Sequence, residues 1–236
     1  MAVGAHKITA EFEQLLCDYT GAPYVVALDN MSNALFLALY YEINVKETPS
    51  FGWTFGDKVI AIPTHTYPSV PCEIIHAGGK VKFIDSEKLG GYLEGAQDSR
   101  YLTGPYRLWP TNVVDSALRF TSDMYVWGSH MCLSFTGPYK HLKLGKGGAI
   151  LTDSEEAYNW FKRARFSGRH EESYHTDDLD DDPVIGWNFY MMPEIAAKGI
   201  LLMGQFYDAT GKPIHNVDLE LPYPNLSKFK CYADIS

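Results

Sequence analysis

The chain has 236 residues, of which 46% are hydrophobic and 14% aromatic, enough apolar material for one large folded domain. Its formal net charge is -9 and its basic residues form no block, so nucleic acid is not expected as a partner. We recognise no signal peptide and no apolar run of the roughly 18 residues that cross a bilayer, so no membrane partner is expected. The four cysteines include no CxxC pair, which favours a reducing, cytoplasmic location over a disulfide framework.

Hydrophobic periodicity predicts helices and strands that alternate along the chain. The predicted helices cover residues 11–19, 33–41, 71–77, 154–166 and 193–206. The predicted strands cover residues 24–28, 58–62, 80–84, 111–114, 131–135 and 148–152. Residues 86–106 are polar and contain glycine, and we interpret them as a loop. Alternating strands and helices are typical of an α/β fold, here with a mainly parallel mixed sheet flanked by helices.

The sequence shows one domain and a tail. Residues 1–209 carry the periodic pattern, whereas residues 210–236 are rich in proline and polar side chains and show little periodicity. We expect this tail to pack on the domain or on a partner subunit.

Lys140 is the first candidate for a chemical role. It follows the apolar stretch 131–135 and stands among a serine and several glycines. A lysine kept out of bulk water has a lowered pKa, and its neutral amine can attack a carbonyl group. A lone loop lysine is more often simply solvated, so the residues around it must decide between the two interpretations.

Several other polar and aromatic side chains follow predicted strands. Ligands of open α/β sheets lie beyond the carboxyl ends of the strands, so we expect these side chains to meet there. The candidates are Asp115 after 111–114, Ser134 and Lys140 after the start of 131–135, Tyr67 after 58–62, and Asn30 and Ser32 between 24–28 and 33–41.

Together these groups have the chemistry that holds pyridoxal 5'-phosphate. A lysine forms a Schiff base with the aldehyde, a buried carboxylate keeps the ring nitrogen protonated, and an aromatic side chain stacks on the ring. Amides and hydroxyls at a helix N-terminus bind the phosphate dianion despite the acidic chain. The sequence therefore predicts a cofactor site built on Lys140, Asp115, Tyr67 and residues 30–32.

Each candidate also has a purely structural interpretation. Asp115 or Ser32 could be a helix N-cap, and Tyr67 could be half-buried core. His65 and His141 lack a second ligand at metal-binding spacing, so no metal site is predicted. The aspartates within 177–182 are interpreted as a solvated loop, because they lack the glycine and glutamate of a calcium loop.

The motifs resemble those of the DegT/StrS-type sugar aminotransferases, which are pyridoxal-phosphate enzymes of fold type I that place amino groups on nucleotide-linked keto sugars. The resemblance extends from Phe12 to about Gln205. Its motifs are the segments 29–35 (DNMSNAL), 114–117 (VDSA), 134–148 (SFTGPYKHLKLGKGG) and 186–191 (GWNFYM).

The resemblance implies a fold type I large domain and a catalytic Lys140 that holds pyridoxal 5'-phosphate and moves the proton between substrate and cofactor. It implies that the amino donor is an amino acid, with glutamate expected, and that the acceptor is a nucleotide-linked keto sugar. It also implies a homodimer with a shared active site. The cofactor-binding residues that it implies are Asp115, Tyr67, Asn30, Met31, Ser32, Ala117, Ser134 and, across the dimer interface, Asn188.

The chain stops where most members of that family begin a small C-terminal domain, so the resemblance is to a short member with a more open or partner-completed substrate site. Two alternatives to an aminotransferase stay open. Sugar dehydratases of the same family usually carry histidine at the position of Lys140. A non-catalytic homologue that binds a sugar or regulates a partner is the other alternative.

Overall fold

The computed structural model describes residues 3–46, 58–85, 101–171 and 183–232, and the elements named here lie in those ranges. The α-helices are α1 Val3–Thr20, α2 Met31–Tyr40, α3 Ser69–His76, α4 Glu155–Ala164 and α5 Pro193–Met203. The strands are β1 Tyr24–Leu28, β2 Val59–Pro63, β3 Lys80–Ile84, β4 Tyr101–Thr103, β5 Tyr106–Arg107, β6 Val113–Asp115, β7 His130–Ser134, β8 Gly148–Thr152 and β9 Glu220–Pro222. A π-helical turn, Tyr41–Val45, continues α2, and short 3-10 turns cover Gly204–Phe206, Leu226–Lys228 and Lys230–Tyr232.

The central sheet is mixed, as predicted. Its strands lie in the order β1-β8-β7-β6-β5, with β6 parallel to β7 and the other three pairs antiparallel. Strands β2 and β3 form a parallel pair, and Ala61 of β2 makes an antiparallel bridge to Trp109, just beyond β5. Strands β1, β2, β3, β6 and β7 therefore share one direction, and β5 and β8 are the strands of the central sheet that run the other way.

Helices cover both faces of the sheet, because alternate residues of each strand point to opposite sides. Val26 of β1, Cys132 of β7 and Ile150 of β8 are buried on the face that carries α2, α3 and α4. Val25 and Leu133 are buried on the opposite face, against α1 and α5. All four cysteines are free thiols, and Cys132 is the buried core thiol that the sequence predicts.

Three predicted elements differ from the structure. Helix α1 begins at Val3 rather than at residue 11. Helix α2 begins at Met31 rather than at residue 33, because the Asn30 side chain accepts a hydrogen bond from the backbone N–H of Asn33 at 2.8 Å. Ser32 is consequently in the first turn of α2 and is not its N-cap.

The interpretation of residues 86–106 as a loop is wrong for its described end. Strand β4 and the start of β5 lie there, on either side of Gly104 and Pro105. Strand β4 pairs with β9 from the far end of the chain, and β5 pairs with β6. Tyrosine, leucine and threonine on one side of a glycine-proline pair and tyrosine on the other form a strand–turn–strand signal that the polar average of the segment conceals. Residues 86–100 lie outside the described residues.

The C-terminal residues lie against the same chain. The backbone N–H of Ile214 donates to the carbonyl of Phe206 at 2.8 Å, and the backbone N–H of Leu226 donates to the carbonyl of Thr64 at 2.8 Å. The division of the chain at residue 210 stays a prediction. Within the described ranges, no helix combines the length and the apolar character needed to span a membrane.

A buried ionic cluster joins α1, β1 and α4. The guanidinium of Arg165 is fully buried and contacts the carboxylates of Glu13 and Glu171 and the carbonyl of Ala27. The Lys162 amine lies 3.2 Å from Glu13 and 3.1 Å from Glu171. Burial alone would raise the pKa of Glu171, but the charges of Arg165 and Lys162 hold that pKa below its usual value. The cluster fixes the first strand and helix against the end of α4.

We expect Arg165→Met to lower the free energy of unfolding by about 3 kcal/mol, because it leaves two largely buried carboxylates without their buried guanidinium partner. Arg169→Met is the matched control. Arg169 lies 5.3 Å from the centre of the Phe166 ring and is partly exposed, so its loss should cost less than about 1 kcal/mol. Chemical denaturation measures both effects, and equal losses in the two variants would show that the cluster is not a stabilising feature.

Candidate active site

A cavity of about 630 Å³ lies at the carboxyl ends of β1, β2, β6 and β7. This is the edge of the sheet at which the sequence predicts a ligand. All of the predicted site residues except Asn188 line this cavity, namely Asn30, Met31, Ser32, Tyr67, Asp115, Ala117, Ser134 and Lys140.

Asp115 is the buried acid of the cavity, with 3% of its surface exposed. One carboxylate oxygen accepts from the backbone N–H of Ala117 at 2.9 Å, and the other accepts from the Tyr106 hydroxyl at 2.9 Å. Tyr106 is itself held by the Thr66 hydroxyl at 2.6 Å. Burial raises the pKa of Asp115, and the two hydrogen bonds and the charge of Lys140 oppose that rise. A cationic ligand group at this carboxylate would favour its ionised form.

Lys140 is the amine of the cavity. Its Nζ donates to the backbone carbonyl of Ala117 at 2.8 Å. Burial lowers the pKa of Lys140, and the negative charge of Asp115 opposes this shift. The two peptide groups of Ala117 thus orient both side chains, since its N–H contacts Asp115 and its C=O contacts Lys140. The outcome is an amine that loses its proton more readily than a solvated lysine.

Two helix N-termini form the opposite part of the cavity. Asn30 caps α2, and Ser69 begins α3. The Ser32 hydroxyl donates to the Ser69 hydroxyl at 2.9 Å, which holds the two helix starts together. The positive ends of two helix dipoles favour an anion at this place, although the chain carries a net charge of -9.

Gly148 sets the distance between the sheet and the start of α2. It pairs with Leu28 on one side and Ser134 on the other, at the start of β8. A Cβ atom at position 148 would lie 2.5 Å from the backbone nitrogen of Met31 and 2.6 Å from the carbonyl carbon of Asn30. Only glycine permits this approach, so β8 and the N-terminus of α2 are in direct backbone contact.

Tyrosine side chains form much of the remaining wall. Tyr67 is 56% exposed and lies at the cavity, which excludes its interpretation as half-buried core. Its ring makes an edge contact with Tyr223, with 6.3 Å between centroids. Tyr139, in the loop that leads to Lys140, also lines the cavity.

Asn188 lies outside this cavity. It is exposed, and it bridges to Phe166 in an extended segment whose next residue, Phe189, accepts from the backbone N–H of Asp29 at 2.9 Å. Its expected contact with the cofactor of a second subunit stays a prediction. The aspartates within 177–182 lie outside the described residues. Across the described residues no group of histidine, cysteine or acidic side chains is arranged to hold a metal ion.

Sequence reasoning missed four residues that shape the site. Tyr106 contacts Asp115 across the β5–β6 pair, and Thr66, 40 residues earlier in the chain, contacts Tyr106; hydrophobic periodicity predicts neither hydrogen bond. Ser69 does carry a local signal, because a serine directly before an apolar helical run is typical of a helix start. Tyr223 comes from the tail, which showed no periodicity from which to place it.

Comparison with known proteins gives one family and two curated relatives. The model of the DegT/DnrJ/EryC1/StrS aminotransferase family matches residues 4–97. Two UDP-4-amino-4,6-dideoxy-N-acetyl-beta-L-altrosamine transaminases of Campylobacter jejuni strains are 24% and 23% identical to the chain, and each match covers 84% of this chain. The chain spans 56% of the length of these relatives.

Solved structures match over a similar part of the chain. An aminotransferase of pseudoaminic acid biosynthesis from Helicobacter pylori has a TM-score of 0.60 at 16% identity, covering 84% of this chain and 57% of its own. A GDP-4-keto-6-deoxy-D-mannose-3-dehydratase from E. coli, solved with hydrated pyridoxal phosphate, has a TM-score of 0.60 at 16% identity, covering 84% and 60%. These matches confirm the fold type I architecture, and the family model agrees with the resemblance inferred from the motifs over residues 4–97.

We expect Tyr106→Phe to raise the pKa of Asp115, because it removes a hydroxyl that donates to the carboxylate. Carbon-13 NMR titration of the carboxyl groups, assigned with Asp115→Asn, measures the shift. Tyr125→Phe is the control, since Tyr125 donates to Asp153 at 3.0 Å and does not line the cavity. An unchanged or lowered pKa of Asp115 in Tyr106→Phe would contradict this account of the site.

We expect Gly148→Ala to lower the free energy of unfolding by about 2–4 kcal/mol, because the added methyl group meets backbone atoms that cannot rotate away. Gly204→Ala is the control, because no atom lies within 4 Å of its added Cβ. Urea denaturation of both variants tests the contact. A Gly148→Ala chain as stable as the Gly204→Ala chain would mean that α2 can shift without cost.

Proposed function

We propose that this chain, which resembles the DegT/DnrJ/EryC1/StrS aminotransferases, binds pyridoxal 5'-phosphate in its cavity and transfers an amino group from an amino acid to a nucleotide-linked keto sugar. The expected donor is glutamate. The observation that carries the proposal is that the Lys140 amine, the Asp115 carboxylate and the N-terminus of α2 all face one cavity. An amine, an acid and an anion site are the three groups that this cofactor requires.

The residues fit the cofactor in charge as well as in kind. Asp115 is buried and its pKa is raised by burial, so a protonated ring nitrogen would pair with it and favour its ionised form. Ser32, Ser69 and the N-terminal amides of α2 would receive the phosphate. When bound, the cofactor supplies an electron-withdrawing ring that stabilises negative charge on a substrate carbon.

Lys140 would be the group that moves the proton. Among the described residues, the hydrogen-bond partner of its amine is the carbonyl of Ala117, which orients Nζ and leaves the nitrogen lone pair available. Burial lowers its pKa, so a larger fraction of the amine is neutral near pH 7 than for a solvated lysine. A neutral amine inside the cavity can take up a proton from substrate and return it, which is general base and acid work.

The proposal includes a homodimer with a shared site. Asn188 is exposed and does not line the cavity of its own chain, so its side chain is available to a second copy. Its segment is attached to β1 through the Leu28–Tyr190 bridge, next to the residues that lead into α2.

Amino transfer is favoured over dehydration by the residue at position 140. The fold does not separate the two reactions, because a dehydratase and an aminotransferase match with the same TM-score of 0.60. A histidine is expected at this position in a dehydratase, whereas Lys140 offers a primary amine. The names of the curated relatives support a nucleotide-linked sugar as the acceptor.

Absorbance spectroscopy tests the cofactor and the lysine together. Purified chain incubated with pyridoxal phosphate should give a visible absorbance band, and Lys140→Ala should lose it. Lys143→Ala is the matched control, because Lys143 lies in the same loop but is exposed and does not line the cavity. Asp115→Ala should keep the band and lose at least about 100-fold in turnover, since it removes the charge that faces the ring.

The donor and acceptor are tested in the two halves of the reaction. Glutamate should bleach the visible band, and a panel of keto sugars linked to UDP, GDP or dTDP should restore it for the acceptor that fits. Full aminotransferase turnover by Lys140→Ala would contradict the proposed function. A wild-type chain that takes up no cofactor would contradict it as well.

A further inference from the structure

The C-terminal part of the chain crosses the cavity. We call residues 217–226 the C-terminal strap. They include β9, they lie outside the region that matches the family model, and three of them, Leu221, Pro222 and Tyr223, line the cavity. Their attachment at both ends fixes how they lie over it.

One end of the strap is tied beside Asp115 and Lys140. The guanidinium of Arg119 makes two hydrogen bonds to the carboxylate of Asp218, at 2.8 and 2.7 Å. The His141 ring donates to the carbonyl of Val217 at 2.9 Å. Both partners follow a site residue closely in sequence, so the start of the strap is held at the acid and amine side of the cavity.

The other end is tied at the end of β2, just before Tyr67. The backbone N–H of Leu226 donates to the carbonyl of Thr64 at 2.8 Å, and Asn225 makes an antiparallel bridge to His65. Between the two ends, β9 pairs with β4. The strap therefore spans the cavity from the Lys140 side to the Tyr67 side.

Tyr223 is the strap residue that brings an aromatic ring and a hydroxyl group to the cavity. Its ring makes an edge contact with Tyr67, with centroids 6.3 Å apart and planes at 80°. Burial, the charge of Asp115 and the proximity of Tyr67 raise its pKa, so the hydroxyl stays protonated. Among the described residues none hydrogen-bonds this hydroxyl, which leaves a donor free at the cavity.

We propose that Tyr223 is a cofactor-binding residue and that the C-terminal strap covers the ring of bound pyridoxal phosphate. The identity of the ligand rests on the proposed function. The role of Tyr223 rests on its position. Asp115 and Tyr67 are the residues proposed for the ring nitrogen and the ring face, and Tyr223 lies beside both. The phosphate site at Ser32 and Ser69 is formed by other elements.

The test uses 4'-deoxypyridoxine 5'-phosphate, a cofactor analogue without the aldehyde, so that binding does not depend on Lys140 chemistry. Isothermal titration calorimetry should give about a 5- to 10-fold weaker affinity for Tyr223→Ala than for the wild-type chain, because an aromatic contact and a hydrogen-bond donor are lost. Phe229→Ala is the matched control, since Phe229 is exposed and outside the cavity, and it should bind as wild type does.

A second pair of variants tests the strap without touching Tyr223. Arg119→Asp places two carboxylates against each other and should loosen the strap, weakening analogue binding several-fold. The double variant Arg119→Asp with Asp218→Arg restores opposite charges and should recover most of the affinity. This rescue also separates loosening of the strap from general unfolding.

Equal analogue affinity in wild type and Tyr223→Ala would overturn the inference. Tighter binding by Tyr223→Ala would overturn it as well, because the strap would then be a plug that competes with the ligand. So would a wild-type chain that does not bind the analogue. Loss of the proposed aminotransferase activity is a separate result: turnover or the Lys140-dependent band can fail while the Tyr223 dependence of analogue binding stands.

Discussion

The buried carboxyl group of Asp115 is the constraint around which the cavity is arranged. A carboxylate out of water is costly unless donors and positive charge face it. Here the N–H of Ala117, the hydroxyl of Tyr106 and the charge of Lys140 supply that environment. The register of the antiparallel β5–β6 pair places Tyr106 opposite Asp115. The turn after β6 places Ala117 between Asp115 and Lys140.

The opposite side of the cavity follows a different physical rule. No cationic side chain besides Lys140 is among its lining residues in the described part of the chain, so attraction for an anion comes from the backbone. The starts of α2 and α3 meet through their serine hydroxyls and present partial positive charge in a small volume. A chain with an acidic surface can thus hold a phosphate group locally, while its net charge repels anions at long range.

Much of the fold could be predicted from the sequence, because it depends on local patterns. Strands β1, β3 and β8 have the bounds that periodicity predicts, and the strand ends place most candidate residues at one edge of the sheet. Local patterns do not reveal partners far away in the chain. Tyr106 and Tyr223 gain their positions from pairing with β6 and β4, and Asn30 sets the start of α2 through a side-chain cap that hydrophobicity does not show. The roles of the cavity residues stay predictions until ligand binding is measured.

The contact between Gly148 and the first turn of α2 has a consequence for how such a sequence can change over generations. Position 148 has no room for a side chain as long as the backbone of residues 30 and 31 stays where it is. That backbone in turn cannot move closer to β8 as long as β8 is paired with both β1 and β7. The two segments are therefore epistatic. Divergence at one requires prior accommodation at the other, and lineages that alter this glycine are expected to carry an altered loop after β1.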